Sequence, residues 1–169
     1  KRTATDADGV RFSGANHRIE NNNVHDISRA GYPEGQAPHP DCFQTFDGGG
    51  PAGYGVVIQH NTCANVDAQC LLAGGTQRHE AGAPSGVSAI QFLDNYCQTA
   101  ADQAVDLEGF PNVLVKGNTF SSGYKAAVLA RQGAVDLTVT DNILVGNFPP
   151  FDVDDASKPG FDGSDNQHK

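Results

Sequence analysis

Five segments of the chain share one pattern: an apolar residue, two positions, an Asn, one position, then an apolar residue or Cys. They read Ile19-Glu-Asn-Asn22-Asn-Val24, Ile58-Gln-His-Asn61-Thr-Cys63, Phe92-Leu-Asp-Asn95-Tyr-Cys97, Val115-Lys-Gly-Asn118-Thr-Phe120 and Val139-Thr-Asp-Asn142-Ile-Leu144. The Asn positions lie 39, 34, 23 and 24 residues apart, so the last two intervals give the bare repeat and the first two carry insertions. A recurrence of this size marks a solenoid.

Five residues before each Asn stand His17, Val56, Ile90, Val113 and Leu137. With the apolar residue two further on, each forms an inward-facing pair at strand period. A second strand is expected about ten residues after the Asn, at Cys70-Leu-Leu72, Val105-Asp-Leu107 and Val128-Leu-Ala130, and after a longer gap at Phe43-Gln-Thr45. Each turn of the chain is then a rung of short strands, pairing in parallel with the next rung and stacking like residues over like. The expected fold is all-β, a parallel β-helix of about five or six rungs. Asn tolerates the left-handed backbone of a tight corner, and its amide can bond to the same amide on the next rung, so the Asn row reads as an architectural ladder.

The 169 residues fit one domain whose core is a narrow column along the solenoid axis. Residues 1–148 are assigned to the β-helix, with an N-terminal cap or further rungs expected upstream because Gly9-Val-Arg-Phe-Ser13 already looks like a strand. Residues 149–169 lack the pattern and are expected to form an acidic cap or tail, its Asp152, Asp154, Asp155, Asp162 and Asp165 serving as solubilising charge. Methionine is absent, which implies a processed product or a segment of something longer. The four Cys contain no CxxC pair and do not suggest zinc. Cys63 and Cys97 share one repeat position and Cys42 and Cys70 lie near another, so two disulfides and buried thiols are both open. A net charge of −9 without any Lys/Arg cluster argues against nucleic acid and anionic membrane as partners. No apolar run approaches the roughly 18 residues of a membrane span.

Over residues 9 to 147 the rung pattern resembles the right-handed parallel β-helix superfamily, which contains pectate lyases, polygalacturonases, alginate-active enzymes and phage tailspikes. The resemblance implies a secreted or cell-surface protein and a polysaccharide laid along a groove. His39-Pro-Asp41-Cys-Phe-Gln44-Thr-Phe-Asp47 contains a His-x-Asp-x-x-Gln spacing similar to that of many uncharacterised secreted bacterial β-helix proteins, followed by the turn Asp47-Gly-Gly-Gly50. It differs from the Asp-Pro-His-Glu signature of alginate epimerases, which lowers that reading.

Aligning the second strands assigns as outward-facing Gln44 and Phe46, Leu71 and Ala73, Asp106 and Glu108, and Leu129 and Arg131. Insertions at Ser28–Pro40 and Gly75–Gly86 would wall this face into a groove. A His beside an Asp can act as a general base with a fixed tautomer, so His39 is assigned as base and Asp41 as its orienting group. Gln44 and Arg131 are expected to hold a substrate carboxylate, and Phe46 to line the site. Asp106 and Glu108 stand two apart on one strand, roughly 7 Å at Cα, a spacing that suits sugar hydroxyls, an inverting glycosidase or calcium. Each has a structural alternative: Asp41 capping a corner, Glu108 merely pairing with Arg131, His25-Asp26 forming a turn pair, and Lys116 and Arg78-His79-Glu80 being ordinary surface. The leading expectation is lyase-type elimination on an acidic polysaccharide, with calcium the one cofactor left open. A polygalacturonase-like hydrolase and a non-catalytic glycan-binding or structural module are the alternatives.

Overall fold

The computed structural model describes residues 7–33, 35–46, 54–75 and 88–169. After β1 (Val10–Arg11) the chain makes five three-strand turns. These are β2 (Arg18–Glu20), β3 (Asn23–Ile27) and β4 (Phe43–Phe46); β5 (Val56–Gln59), β6 (Thr62–Val66) and β7 (Leu71–Gly74); and β8 (Ile90–Leu93), β9 (Tyr96–Thr99) and β10 (Gln103–Glu108). Then come β11 (Val113–Lys116), β12 (Thr119–Ser121) and β13 (Ala126–Arg131), followed by β14 (Thr138–Thr140), β15 (Ile143–Val145) and β16 (Phe151–Val153). A short 3₁₀ turn at Asp155–Ser157 leads to β17 (Gln167–His168). The strands form three sheets, ordered β1-β4-β7-β10-β13-β16, β14-β11-β8-β5-β2 and β17-β15-β12-β9-β6-β3. Every pairing among them is parallel. This all-β arrangement is consistent with the expected parallel β-helix, with three strands per turn where the sequence pattern marked two.

The inward positions fill one column: Val56, Ile58, Phe92, Leu107, Phe110, Phe120 and Leu137 are wholly buried. His17 departs from the expected inward set. It is exposed, and its ring nitrogen bonds to the Ser13 carbonyl at 2.6 Å.

The five Asn stack in one row, and the row continues to a sixth. Each Nδ2 donates to the next Oδ1, from Asn22 to Asn61 (2.9 Å), Asn95 (3.0 Å), Asn118 (3.1 Å), Asn142 (3.0 Å) and Asn166 (2.9 Å). Each backbone N–H before the last donates to the same oxygen. The left-handed corner residue is not the ladder Asn but the one before it: Asn21, His60, Asp94, Gly117, Asp141 and Asp165 all have φ between 51° and 70°. Asn166 and the strands β16 and β17 also correct the expectation that residues 149–169 lie outside the repeat. A turn whose apolar positions have been replaced still follows the ladder.

Two disulfides form, Cys42–Cys63 and Cys70–Cys97, with Cα separations of 6.1 and 5.9 Å. Cys63 and Cys97 are indeed paired in register, yet each bonds across the column to the residue entering a first-sheet strand of the turn before. In the next turn the corresponding space is held by Ala104 and the buried Phe120. Closing loops of 21 and 27 residues should stabilise the fold by about 3 kcal/mol each in the chain-entropy account. The double variant C42A/C63A is therefore expected to lower the urea midpoint measurably, and an unchanged midpoint would show the bridge to be energetically idle.

Candidate functional site

The insertion between β3 and β4 is tied back to the next turn by Asp67, whose Oδ2 accepts from Ser28 Oγ (3.0 Å) and the Arg29 backbone N–H (2.6 Å). It delivers His39 and Asp41 to the start of β4. Asp41 is fully buried. One of its oxygens, Oδ2, accepts from Gln44 Nε2 at 2.9 Å and lies 3.1 Å from His39 Nδ1. The other, Oδ1, accepts from the Gln69 backbone N–H at 2.8 Å. A carboxylate so placed only accepts, so Nδ1 of His39 carries the hydrogen and, in the neutral ring, Nε2 keeps the lone pair. The His39 side chain is 46% exposed. The chain of contacts continues along the face: Arg11 Nη2 donates to Gln44 Oε1 at 2.7 Å, and its guanidinium stacks 4.4 Å from the Phe46 ring centre.

The hydrogen bond to Asp41 raises the His39 pKa above its ordinary 6.5, more than burial lowers it. Because the folded-state value is the higher one, the His39–Asp41 pair contributes stability that is fully present below about pH 6.5 and lost as pH rises through the folded pKa. Asp41→Asn should bring the His39 pKa back down. NMR titration of the ring protons checks this, and an unmoved value would mean that Asp41 does not set the protonation of His39.

The outward face of the first sheet differs from the expected alignment in one turn. Gln44 pairs with Leu72, which pairs in turn with Asp106, while Phe46 pairs with Gly74, which pairs with Glu108. Leu72 and Gly74 therefore replace Leu71 and Ala73 on this face, the latter two being core residues. Val105, Leu107, Val128 and Ala130 are buried as expected. Asp106, however, is only 2% exposed. It lies beneath Arg131, whose Nη2 and Nε reach its two oxygens at 3.0 and 3.3 Å, and it also accepts from Gln103 Nε2 at 3.0 Å. Arg131 also pairs with Glu108 Oε1. Asp106 is thus a bracing residue rather than an open sugar or cation ligand, and Arg131 is held by two carboxylates rather than poised for a substrate's.

His39, Asp41 and Gln44 come together, but Arg131 does not join them. It is on β13, three strand spacings or about 14 Å from β4, and level with the Phe46 end of that strand. Gln44 is buried and its amide is shared between Asp41 and Arg11, so it connects groups instead of presenting itself. Among the described residues no three His, Cys, Asp or Glu side chains gather as metal ligands. A guanidinium between Asp106 and Glu108 would in any case repel calcium from that pair. His25 and Asp26 bond to each other (2.8 Å) within β3 of the third sheet, with Asp26 in the left-handed region, and so form a local pair inside a strand rather than the expected turn pair. Lys116 pairs with Asp141 at 3.3 Å. Asp47-Gly-Gly-Gly50, Arg78-His79-Glu80 and most of the second insertion lie outside the described residues.

Three contributors went unread in the sequence. Arg11 was seen only as part of a leading strand, although its register with Gln44 follows once that strand is stacked. Gln69 supplies the backbone donor to Asp41 and carries a buried Oε1 with no hydrogen-bond partner among the described residues. Gly74 forms the floor, with Leu72, of an open pocket of about 460 Å³ between Phe46 and Glu108, bordered also by Gln44 and Gln132. No helix among the described residues is long and apolar enough to cross a membrane. Comparison of the chain with protein-family models, with curated proteins and with solved structures finds no match.

Proposed function

We propose that the chain is a right-handed parallel β-helix that holds an acidic polysaccharide on its first sheet and cleaves it by lyase-type elimination, with His39 as the base. Parallel strands joined by a crossover are almost always right-handed, which supports the hand. The observation that carries the chemistry is the His39–Asp41 dyad: a buried carboxylate fixes Nδ1–H, which leaves Nε2 of this half-exposed ring to take a proton. Elimination beside a carboxylate also needs that carboxylate neutralised. Arg11, bonded to Gln44, stacked on Phe46 and 3.8 Å from the Asp8 carboxylate, is a cation on the dyad's side of the face and takes the role expected of Arg131. The base then removes the proton on the carbon next to the neutralised carboxylate, the freed electron pair forms a carbon–carbon double bond as the glycosidic C–O bond breaks, and the leaving oxygen is protonated by solvent. The two disulfides suit an oxidising compartment and support export.

The test is incubation with a panel of polyuronates, following the ultraviolet absorbance of the unsaturated product. Arg11→Ala should lower kcat/KM about a hundredfold, whereas Arg131→Ala should cost far less. The reverse order would return the cation role to Arg131. A second reading, a glycan-binding module without chemistry, is favoured by the engagement of Arg131 with Asp106 and Glu108. New reducing ends without absorbance would instead indicate hydrolysis.

A further inference from the structure

Gly74 is a glycine without a backbone reason. Its φ lies outside the left-handed region, and a Cβ there would meet Phe46 Cβ at 3.7 Å and Glu108 Oε2 at 3.8 Å, ordinary van der Waals contacts. What the missing side chain does is open the first-sheet face. On one side of the gap stands Phe46, 38% exposed, its ring packed against the Arg11 guanidinium on the β1 side. On the other side stands Glu108, one of whose oxygens is held by Arg131 while Oε2, the one near the Gly74 position, has no hydrogen-bond partner among the described residues. Arg131 is itself fixed by the buried Asp106, so Glu108 is oriented in advance. Two strand spacings, about 9.6 Å, separate the backbones of Phe46 and Glu108.

From this geometry we infer that the notch over Gly74 is a binding subsite for a neutral pyranose. A ring lying against Phe46 buries its apolar C–H face there, and its outward hydroxyls then reach the accepting Oε2 of Glu108. A flat aromatic alone would leave the carboxylate oxygen unsatisfied, which favours a ligand carrying hydroxyl donors. The charges of Asp106, Glu108 and Arg131 sum to −1, so a uronate in the same place would put its carboxylate beside an uncancelled one and be disfavoured. The inference rests on the preceding reading in taking this face as the saccharide face. It adds that the polymer bears uncharged sugars as well as uronates, the former over Gly74 and the latter toward Arg11.

The experiment is calorimetric titration with two sets of tetrasaccharides, one of glucose, mannose or galactose and one of galacturonate or mannuronate. At least one neutral tetrasaccharide should bind, and Gly74→Val, which fills the notch with a residue suited to a strand, should weaken it about tenfold with an unchanged melting temperature. Glu108→Gln should narrow the preference for neutral over acidic sugars. The inference is overturned if no neutral tetrasaccharide binds, if Gly74→Val leaves its affinity unaltered, or if acidic tetrasaccharides are bound at the notch equally well by the native chain. Should Gly74→Val prove unstable, Phe46→Ala must produce the same loss, and full affinity there is equally fatal. The readout is binding, so failure of the elimination chemistry would not disturb it, and its own failure would leave the test on polyuronates standing.

Discussion

Changing His39 to Ala is expected to reduce turnover of an acidic polysaccharide by about a hundredfold or more, the usual contribution of a positioned general base. The fold should survive. His39 ends an inserted segment and is nearly half exposed, and after its loss Asp41 still accepts from Gln44 and the Gln69 backbone. The change in stability should remain within about 1 kcal/mol. The pH profile gives a second handle: a base must be neutral, so kcat/KM of the native chain should rise with pH through a value above 6.5, since Asp41 raises the His39 pKa. Full activity in His39→Ala would dismiss His39 as base. A native chain inactive across a broad panel of glycans would leave the binding-module reading in its place.

Replacing Asn118 by Leu is expected to remove much of the stability of the domain. Asn118 is completely buried, and its Oδ1 accepts from both the backbone N–H and Nδ2 of Asn95. Its own Nδ2 donates to Asn142 Oδ1 and to the carbonyls of Phe92 and Lys116. Leu fills similar space but strands these partners, and each buried group left unsatisfied costs about 1–3 kcal/mol. A total of about 3–6 kcal/mol is a large share of the roughly 5–15 kcal/mol that holds a domain together. Urea denaturation of Asn118→Leu should show a strongly lowered midpoint with little change in slope. Asn22→Leu is the control, because Asn22 is exposed at one end of the row and its loss strands little. Equal costs at both positions would mean that burial within the ladder is not what stabilises it.

The Asn row was readable from the sequence because one residue type returns with its apolar flanks at matching offsets. Asn166 was not, because Gly163 and His168 stand where the earlier turns have Ile19 or Val139 and Val24 or Leu144. Where polar and apolar residues alternate, as in Val105-Asp106-Leu107-Glu108, the inward pair Val105 and Leu107 was legible, but the burial of Asp106 beneath Arg131 was not. The outward assignment slipped at Leu71-Leu72, where two apolar neighbours give no sign of parity and a one-residue shift exchanges the faces. Spacing along the chain also brought His39, Asp41 and Gln44 together, since all three belong to the entry into β4. Partnerships across the sheet or the column were harder. Arg131 is captured by its own neighbours on β10, and the cysteines bond across the interior rather than along their stacked positions. Both outcomes depend on distances between elements that a linear pattern does not contain.

The ladder also separates counting from decoration. Asn22 and Asn61 are 39 residues apart and Asn118 and Asn142 only 24, yet both pairs make the same two hydrogen bonds. Turns are therefore indexed by amide contacts, and the length of chain between them is not measured by the scaffold. The excursion that carries His39 can be shortened, lengthened or exchanged wholesale while the rows above and below keep their register. Such a chassis lets the chemistry displayed on one face be rewritten without redesigning the column that supports it.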